Sequence, residues 1–278
     1  MTDKRPLKGT GTALITPFNA DFSIDFKSLG KIVEKQISGG VDYLVVMGTT
    51  GESVTLDKEE KAEVLRFILD KTKKRVPVVV GIGGNNTTEV ISALRNTNLD
   101  GIAAVLSVAP YYNKPNQEGL FRHFVEVAKA SPKPVILYNV PGRTGANMSA
   151  DTSLRIANAS DNVIGIKEAS GNMDQIMSII KNRPKGFLVI SGDDSITLPL
   201  IAAGADGVIS VISNAFPKKY ANMVRYALKG EIPKARMLHY ELFDIIPLLF
   251  AEGSPSGVKA LMEMQGMCKS HVRMPLAG

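Results

Sequence analysis

Short apolar runs alternate with amphipathic stretches along the first 230 residues, and this repeat constrains the fold more than any other feature. Eight runs are nearly continuous in apolar residues, as is typical of strands buried on both faces of a parallel sheet. They span residues 13–16, 43–47, 78–82, 102–106, 135–138, 163–167, 187–190 and 208–212. Helical spacing of apolar residues predicts helices over residues 25–37, 57–69, 86–95, 117–129, 150–158, 173–181, 195–203 and 218–228.

Eight strand-and-helix units predict an α/β protein with a (β/α)8 TIM barrel. The alternative is an open, doubly wound sheet. No glycine fingerprint follows the first strand, and Gly81-Ile-Gly-Gly84 does not complete the dinucleotide-binding pattern, so the barrel is favoured. After Gly230 the alternation stops. Residues 232–250 and 258–267 are predicted to form helices, which makes residues 1–230 the barrel and 231–278 a small all-helical C-terminal extension.

Composition excludes several classes of protein. A hydrophobic fraction of 44% and a charged fraction of 22% are typical of a globular chain. The net charge of +6 is scattered, and the densest basic stretch, residues 71–75, is typical of a helix C-terminus, so no nucleic-acid partner is expected. A single cysteine, Cys268, excludes an internal disulfide and indicates a reducing, cytoplasmic compartment. We find no signal peptide and no apolar run that could cross a membrane.

Lys167 is the most informative residue, because it closes an apolar run that should be buried. Loss of hydration disfavours the charged ammonium and leaves a nucleophilic amine, which forms a Schiff base with a ketone or aldehyde. The alternative is a lysine that points outward or forms a salt bridge with Glu168. In a barrel, catalytic groups lie at the carboxyl ends of the strands, and Lys167 lies at such an end.

Other polar residues follow neighbouring strands at the same end of the barrel. Tyr138 closes the fifth strand, where its hydroxyl could transfer protons to and from Lys167. Taken alone, Tyr138 is more typical of a core or lid tyrosine. Residues 48–51 offer backbone N–H groups and hydroxyls suited to a carboxylate, although a simple tight turn explains them equally. Arg143, in a Pro-Gly loop, could bind a second carboxylate or could be a surface arginine.

Metal sites and other nucleophiles find little support. The three histidines are far apart in sequence, so no metal site is expected. The adjacent pair Asp193 and Asp194 is typical of a solvated turn or a helix cap rather than of a cation site. Cys268 lies in the extension and is expected to pack rather than react.

Three segments together resemble the dihydrodipicolinate synthase family, within the pyruvate-dependent class I aldolases and lyases. They are Gly48-Thr-Thr-Gly-Glu-Ser53, Tyr138-Asn-Val-Pro-Gly-Arg-Thr-Gly145 and Ile164-Gly-Ile-Lys-Glu168, with Tyr111-Tyr-Asn113 as support for the subfamily. The resemblance extends from Gly11 into the extension. It implies that pyruvate and aspartate semialdehyde condense to 4-hydroxy-tetrahydrodipicolinate, a precursor of diaminopimelate and lysine. It implies no metal or organic cofactor, because the imine itself accepts the electrons.

The resemblance also assigns roles to residues. Lys167 matches the imine-forming lysine, and Tyr138, Thr49 and Tyr112 match a proton relay in which Tyr112 reaches across a subunit interface. Substrate-binding positions match Thr50, Arg143, Gly192 and Ile209. A lysine-binding regulatory cleft corresponds to Ser53, Val54, Lys58, Lys61, Asn85, Glu89 and Tyr111. Family members are commonly homotetramers built as dimers of dimers.

Two departures from the family pattern shape the expectations. Lys58 and Lys61 stand where lysine-inhibited relatives often carry histidines, and their charge should repel a cationic ligand, so weak or absent lysine inhibition is expected. Relatives also carry a further helix beyond the last residue of this sequence, so the extension is expected to lack its last helix. The alternative functions are an N-acetylneuraminate lyase, a 2-keto-3-deoxy-sugar acid aldolase, or a catalytically silent ligand-binding homologue.

Overall fold

Eight parallel strands close into a barrel in a computed structural model that describes residues 7–277. The strands follow one another around the barrel in sequence order, and the eighth pairs with the first. An open sheet is thereby excluded. The strands are β1 (Gly9–Ala13), β2 (Tyr43–Val46), β3 (Val78–Gly81), β4 (Ala104–Val108), β5 (Val135–Asn139), β6 (Val163–Glu168), β7 (Leu188–Ser191) and β8 (Gly207–Ser210).

Helices surround the barrel and continue beyond it. Of the twelve helices within residues 7–277, six begin at a side chain that caps free backbone N–H groups; Asp57 and Glu60, for example, form a reciprocal capping box at the start of α2. The helices are α1 (Phe26–Ser38), α2 (Lys58–Thr72), α3 (Thr87–Asn96), α4 (Gln117–Ala130), α5 (Pro141–Thr144), α6 (Ala150–Ala159), α7 (Met173–Asn182), α8 (Thr197–Ala202), α9 (Pro217–Leu228), α10 (Ile232–Phe243), α11 (Ile245–Ala251) and α12 (Ser256–Met264).

The first strand differs from its prediction, because it precedes the apolar run at residues 13–16. Its sequence, Gly-Thr-Gly-Thr-Ala, looks polar but is fully buried. Gly11 leaves room for the ring of Tyr43, since a Cβ there would lie 2.1 Å from a ring carbon. Gln36 and Ser213 each make a hydrogen bond with the hydroxyl of Thr12. Buried hydroxyls with partners cost little, so apolarity alone misses this strand.

The C-terminal region is helical as predicted, but the single helix expected over residues 232–250 is two helices. Asp244 ends α10 and begins α11. Pro247 has no N–H to donate to the carbonyl four residues earlier, which accounts for a break at this point. The last helix, α12, begins two residues before the predicted start and ends at Met264. Within residues 7–277, no helix is long and apolar enough to span a membrane.

The strands are packed between an apolar cluster inside the barrel and apolar clusters outside it. Inside the barrel, side chains that include Tyr43, Tyr138, Ile190 and Ile209 pack together. Outside it, the other faces of the strands pack against the helices in two larger clusters, one of which extends into α10, α11 and α12. Packing on both faces fixes which strand residues point into the barrel.

Candidate active site

Lys167 lies inside the barrel at the carboxyl end of β6. Its register partners are Tyr138 in β5 and Ile190 in β7, and both belong to the interior cluster. Partners in register share a face of a sheet, so Lys167 also points inward, and it is only 6% exposed. The alternative of an outward-pointing lysine is wrong.

The ammonium nitrogen of Lys167 lies over the ring of Tyr138, 4.1 Å from the ring centroid. This is a cation–π contact in a desolvated setting. Tyr138 is itself buried, with 7% of its surface exposed. The amine and the tyrosine ring are therefore held together by packing.

Glu168 faces the opposite side of the sheet, as successive strand residues must. Its carboxylate accepts hydrogen bonds from the amide groups of Asn139 at 2.6 Å and Gln175 at 2.7 Å. Burial raises the pKa of Glu168, although these hydrogen bonds oppose the shift. A salt bridge between Lys167 and Glu168, the other alternative, is excluded by this geometry.

Gly192 and Ile209 lie beside the lysine. The N–H of Gly192 donates to the carbonyl of Glu168 at 2.7 Å, which brings its backbone against β6. A Cβ on Gly192 would lie 3.0 Å from Cε of Lys167 and 2.7 Å from Cβ of Ala169. Only glycine at position 192 leaves room for the present conformation of the Lys167 side chain. Ile209, in β8, belongs to the same interior cluster as Tyr138 and is 1% exposed.

The loop after β2 brings two threonines to the same end of the barrel. Residues 49–51 form one turn of 3₁₀ helix and residues 53–55 form another, joined at Glu52. Thr50 is buried and Thr49 is exposed. The side chain of Thr16 donates to the carbonyl of Gly51 at 2.7 Å, which ties the first turn to the segment after β1.

A cavity of about 1220 Å³ connects this loop to Tyr138 and Arg143. Arg143 is exposed, in the short helix α5, so its guanidinium is free to meet an anion that enters the cavity. The cavity continues outward between α2 and α3. Along that extension it is lined by most of the predicted regulatory cleft, namely Ser53, Val54, Lys58, Lys61, Glu89 and Tyr111. Asn85 lies nearby, where its carbonyl accepts a hydrogen bond from the Asn113 amide at 2.9 Å.

Tyr112 is a predicted site residue that lies away from the others in this chain. It is 89% exposed, has a positive φ of 71°, and does not line the cavity. An exposed aromatic ring held at a loop tip by a left-handed backbone is well placed to contact another molecule.

The sequence model of the dihydrodipicolinate synthetase family matches residues 6–278. The chain belongs to this family.

Individual relatives of the family are close in sequence and structure. The 4-hydroxy-tetrahydrodipicolinate synthase of Parabacteroides distasonis is 52% identical over 97% of this chain and 91% of its own length. The crystal structure of dihydrodipicolinate synthase from Aquifex aeolicus superposes with a TM-score of 0.93 at 42% identity, covering 97% of this chain and 92% of that one. A structure described as the first monomeric dihydrodipicolinate synthase variant has a TM-score of 0.95 at 38% identity, covering 98% and 91%.

Two aspartates beside the family site act on the backbone. Asp193 accepts a hydrogen bond from the N–H of Ser195, as expected for a turn. Asp194 is buried, and its carboxylate accepts the N–H groups of Val211 and Ile212, so it fixes the end of β8 next to Ile209. Burial raises the pKa of Asp194 despite these bonds. The sequence around Asp194 does not reveal this role, because its partners lie 17 and 18 residues away.

Cys268 packs in the core that joins barrel and extension, as predicted. Burial raises the pKa of its thiol to about 11, which keeps it protonated and unreactive at neutral pH. In the described part of the chain, no three histidine, cysteine or acidic side chains gather in a group that could hold a metal ion.

Proposed function

We propose that this chain is a 4-hydroxy-tetrahydrodipicolinate synthase, which condenses pyruvate with aspartate semialdehyde in the pathway to diaminopimelate and lysine. The observation that carries the proposal is Lys167, buried inside the barrel mouth against Tyr138. Membership of the family, and a relative of that name at 52% identity, support the same reaction.

The chemistry begins at Lys167. Its amine, once it has lost a proton, adds to the ketone carbon of pyruvate, and loss of water gives an imine. Because the imine nitrogen withdraws electrons, a proton leaves C3 and an enamine forms. The enamine carbon then attacks the aldehyde carbon of aspartate semialdehyde, whose oxygen takes up a proton. The substrate's own amine displaces the lysine as the ring closes, which regenerates the free enzyme. No external electron acceptor is needed at any step.

The neighbouring residues receive roles from their positions. Tyr138, with Thr49 and a Tyr112 from another subunit, would relay protons to and from the imine. Thr50 would hold the pyruvate carboxylate, and Arg143 would bind the carboxylate of the semialdehyde across the cavity. Gly192 and Ile209 would line the pocket beside Lys167 through their backbones.

The alternatives are less well supported. N-acetylneuraminate lyases and 2-keto-3-deoxy-sugar acid aldolases must accommodate long polyhydroxylated substrates, whereas Arg143 favours a small carboxylated aldehyde. Two relatives whose sequences are 52% and 53% identical to this chain are named 4-hydroxy-tetrahydrodipicolinate synthases. A catalytically silent homologue is less well supported, because a lysine is buried against a tyrosine at the mouth of the barrel.

Borohydride trapping tests the proposal directly. Incubation with pyruvate and borohydride should reduce the imine to a stable secondary amine, seen as a mass adduct on the peptide that contains Lys167. Lys167→Met should abolish the adduct, while Lys181→Met, which alters an exposed lysine on α7, should retain it. A folded wild-type protein without an adduct would support the silent homologue.

A coupled assay then separates the enzymes of the superfamily. The wild-type protein should turn over pyruvate with aspartate semialdehyde and should not cleave N-acetylneuraminate or a 2-keto-3-deoxy-sugar acid. Activity confined to the cleavage assays would replace the synthase with one of those enzymes.

We assign the outer part of the cavity to the regulatory cleft, but with weak or absent inhibition by lysine. Lys58 and Lys61 add positive charge there, while Asp70, Glu89 and Asp100 are the acids that line the cavity. Cation–cation repulsion should oppose binding of the ligand's amines. Inhibition curves with free lysine should show little effect below the millimolar range, and Lys58→His/Lys61→His should strengthen inhibition. Saturation far below millimolar lysine in the wild type would contradict this.

Assembly and location complete the proposal. A homotetramer made of two dimers would allow Tyr112 to reach a neighbouring subunit, and its 89% exposure in one chain supports this. Sedimentation should give a tetramer, and Tyr112→Ala should lower activity and loosen one interface together. The division into a barrel at residues 1–230 and a helical extension at residues 231–278, and a cytoplasmic location, stay as proposals.

A further inference from the structure

Glu52 joins the threonine turn of the pyruvate site to the next turn, in an unusual backbone conformation. Its φ of 51° and ψ of 36° are left-handed, a region that residues with a Cβ enter reluctantly. Its N–H donates to the carbonyl of Thr49 at 3.1 Å, and its own carbonyl accepts from Thr55 at 3.0 Å. The geometry of Thr49 and Thr50 therefore depends on whatever holds Glu52 in place.

The side chain of Glu52 is held from the C-terminal extension. Nζ of Lys259, on α12, lies 2.5 Å from one carboxylate oxygen, and the N–H of Arg273 donates to the other at 2.9 Å. The side chains of Glu52 and Lys259 are 1% and 0% exposed. Both charges have lost their water, so each requires the other.

Lys259 is fixed in its turn. Its ammonium donates a second hydrogen bond to the carbonyl of His271 at 2.8 Å and lies 4.1 Å from the ring centroid of Phe18. Burial lowers the pKa of Lys259, and the adjacent Glu52 carboxylate counteracts this. With partners on three sides, the lysine cannot follow the loop if the loop moves.

Arg273 clamps the far end of the same segment. Its guanidinium donates to the carbonyl of Thr55 at 2.8 Å and forms a two-pronged pair with Glu60, at 2.7 and 2.5 Å. Glu60 belongs to the capping box that begins α2. Residues 49–55 are thus held by Thr16 on one side and by the extension on the other.

A buried ion pair is a poor way to gain stability, because the desolvation of two charges offsets much of their attraction. Its distinctive effect is positional, since the pair is satisfied in one geometry only. We propose that Lys259 is a positioning residue of the pyruvate site, acting through Glu52 on Thr49 and Thr50. This rests on the substrate-site roles proposed above for those two threonines. The extension would then set the geometry of the barrel mouth in its own subunit.

Three variants test the proposal in the full-length protein. Lys259→Met removes the ammonium but leaves a buried carboxylate without its partner. Lys259→Met/Glu52→Gln removes both charges together, so that no uncompensated charge endangers folding. Met262→Ala is the matched control, because Met262 is fully buried on the same helix and packs only in the apolar core.

Steady-state kinetics and hydrogen exchange provide the readouts. The charge-free double variant should fold, lose about tenfold in kcat and gain about tenfold in KM for pyruvate, with KM for the semialdehyde within twofold; a small misplacement of a positioning group has effects of this order. Peptides covering residues 49–55 should exchange amide hydrogens faster. Met262→Ala should lower Tm while kcat, KM and exchange in that segment stay near wild type.

Two results would overturn the proposal: a folded double variant with both constants within twofold of wild type, or the same kinetic split in Met262→Ala at an equal loss of Tm. Failure of the proposed function gives a different result. In that case the wild type itself forms no borohydride adduct, while exchange of residues 49–55 still tests whether Lys259 holds the loop.

Discussion

Gly192→Ala should displace Lys167 without altering any functional group. The added Cβ would lie 2.7 Å from Cβ of Ala169 and 3.0 Å from Cε of Lys167. Carbon atoms pack best at about 3.5–4.0 Å, so the lysine stem is about 0.5 Å too close and the alanine about 0.8 Å. Ala169 is held by its backbone, whereas the lysine stem can rotate, so the lysine moves.

The size of the effect follows from that displacement. A shift of about 0.5 Å at Cε carries Nζ away from its place over the Tyr138 ring, and misplacements of about 1 Å cost up to about a hundredfold. We therefore expect kcat to fall by about tenfold. Overpacking should also lower the free energy of unfolding by about 1–3 kcal/mol.

The assay compares the rate of borohydride trapping with pyruvate and the rate of the coupled reaction. Gly142→Ala is the control, because a Cβ there meets nothing within 4 Å, although it lies on the same end of the barrel. It should trap pyruvate at the wild-type rate. If Gly192→Ala forms the adduct and turns over as fast as Gly142→Ala, then close packing at Gly192 does not set the position of the lysine.

Three further predictions concern the tyrosine, the arginine and a buried histidine. Tyr138→Phe keeps the ring over the lysine but removes the hydroxyl, so kcat should fall by about 10²–10⁴ while trapping persists; unchanged turnover would remove Tyr138 from the proton relay. Arg143→Met should raise KM for the semialdehyde about tenfold and leave KM for pyruvate within twofold, and an equal rise in both would argue against a selective carboxylate site. Burial lowers the pKa of His123 to about 4. Between pH 6.5 and 4, His123 is therefore protonated mainly in the unfolded chain, and the free energy of unfolding decreases as the pH is lowered. This should cost about 2 kcal/mol between pH 7 and 5 in urea unfolding. The loss should shrink in His123→Gln; equal losses would mean that other groups are responsible.

Much of the fold was predictable because its signal is local. Seven of the eight strands overlap substantially with apolar runs, since a strand covered on both faces must be apolar almost throughout. β1 is the exception. The hydroxyl of its buried Thr12 finds partners in Gln36 and Ser213, which lie 24 and 201 residues away, and no pattern within the strand indicates such partners.

The helical extension shows the same limit in another form. Its helical content follows from the spacing of apolar residues, and Pro247 marks the break between α10 and α11. Its contact with the barrel mouth could not be foreseen, because Lys259 and Glu52 are 207 residues apart. A lysine within an amphipathic helix ordinarily predicts a solvated side chain.

The sequence by itself determined the number of strand-and-helix units, their order, and the identity of the lysine at the end of β6, because each depends on spacing over a few residues. Only the tertiary structure decided that Lys167 points inward against Tyr138, that Gly192 presses on its stem, and that a buried ion pair joins α12 to the loop after β2. Barrel closure brings together side chains that are remote in the chain. Their charges and contacts therefore acquire meaning only when the distances between them are known.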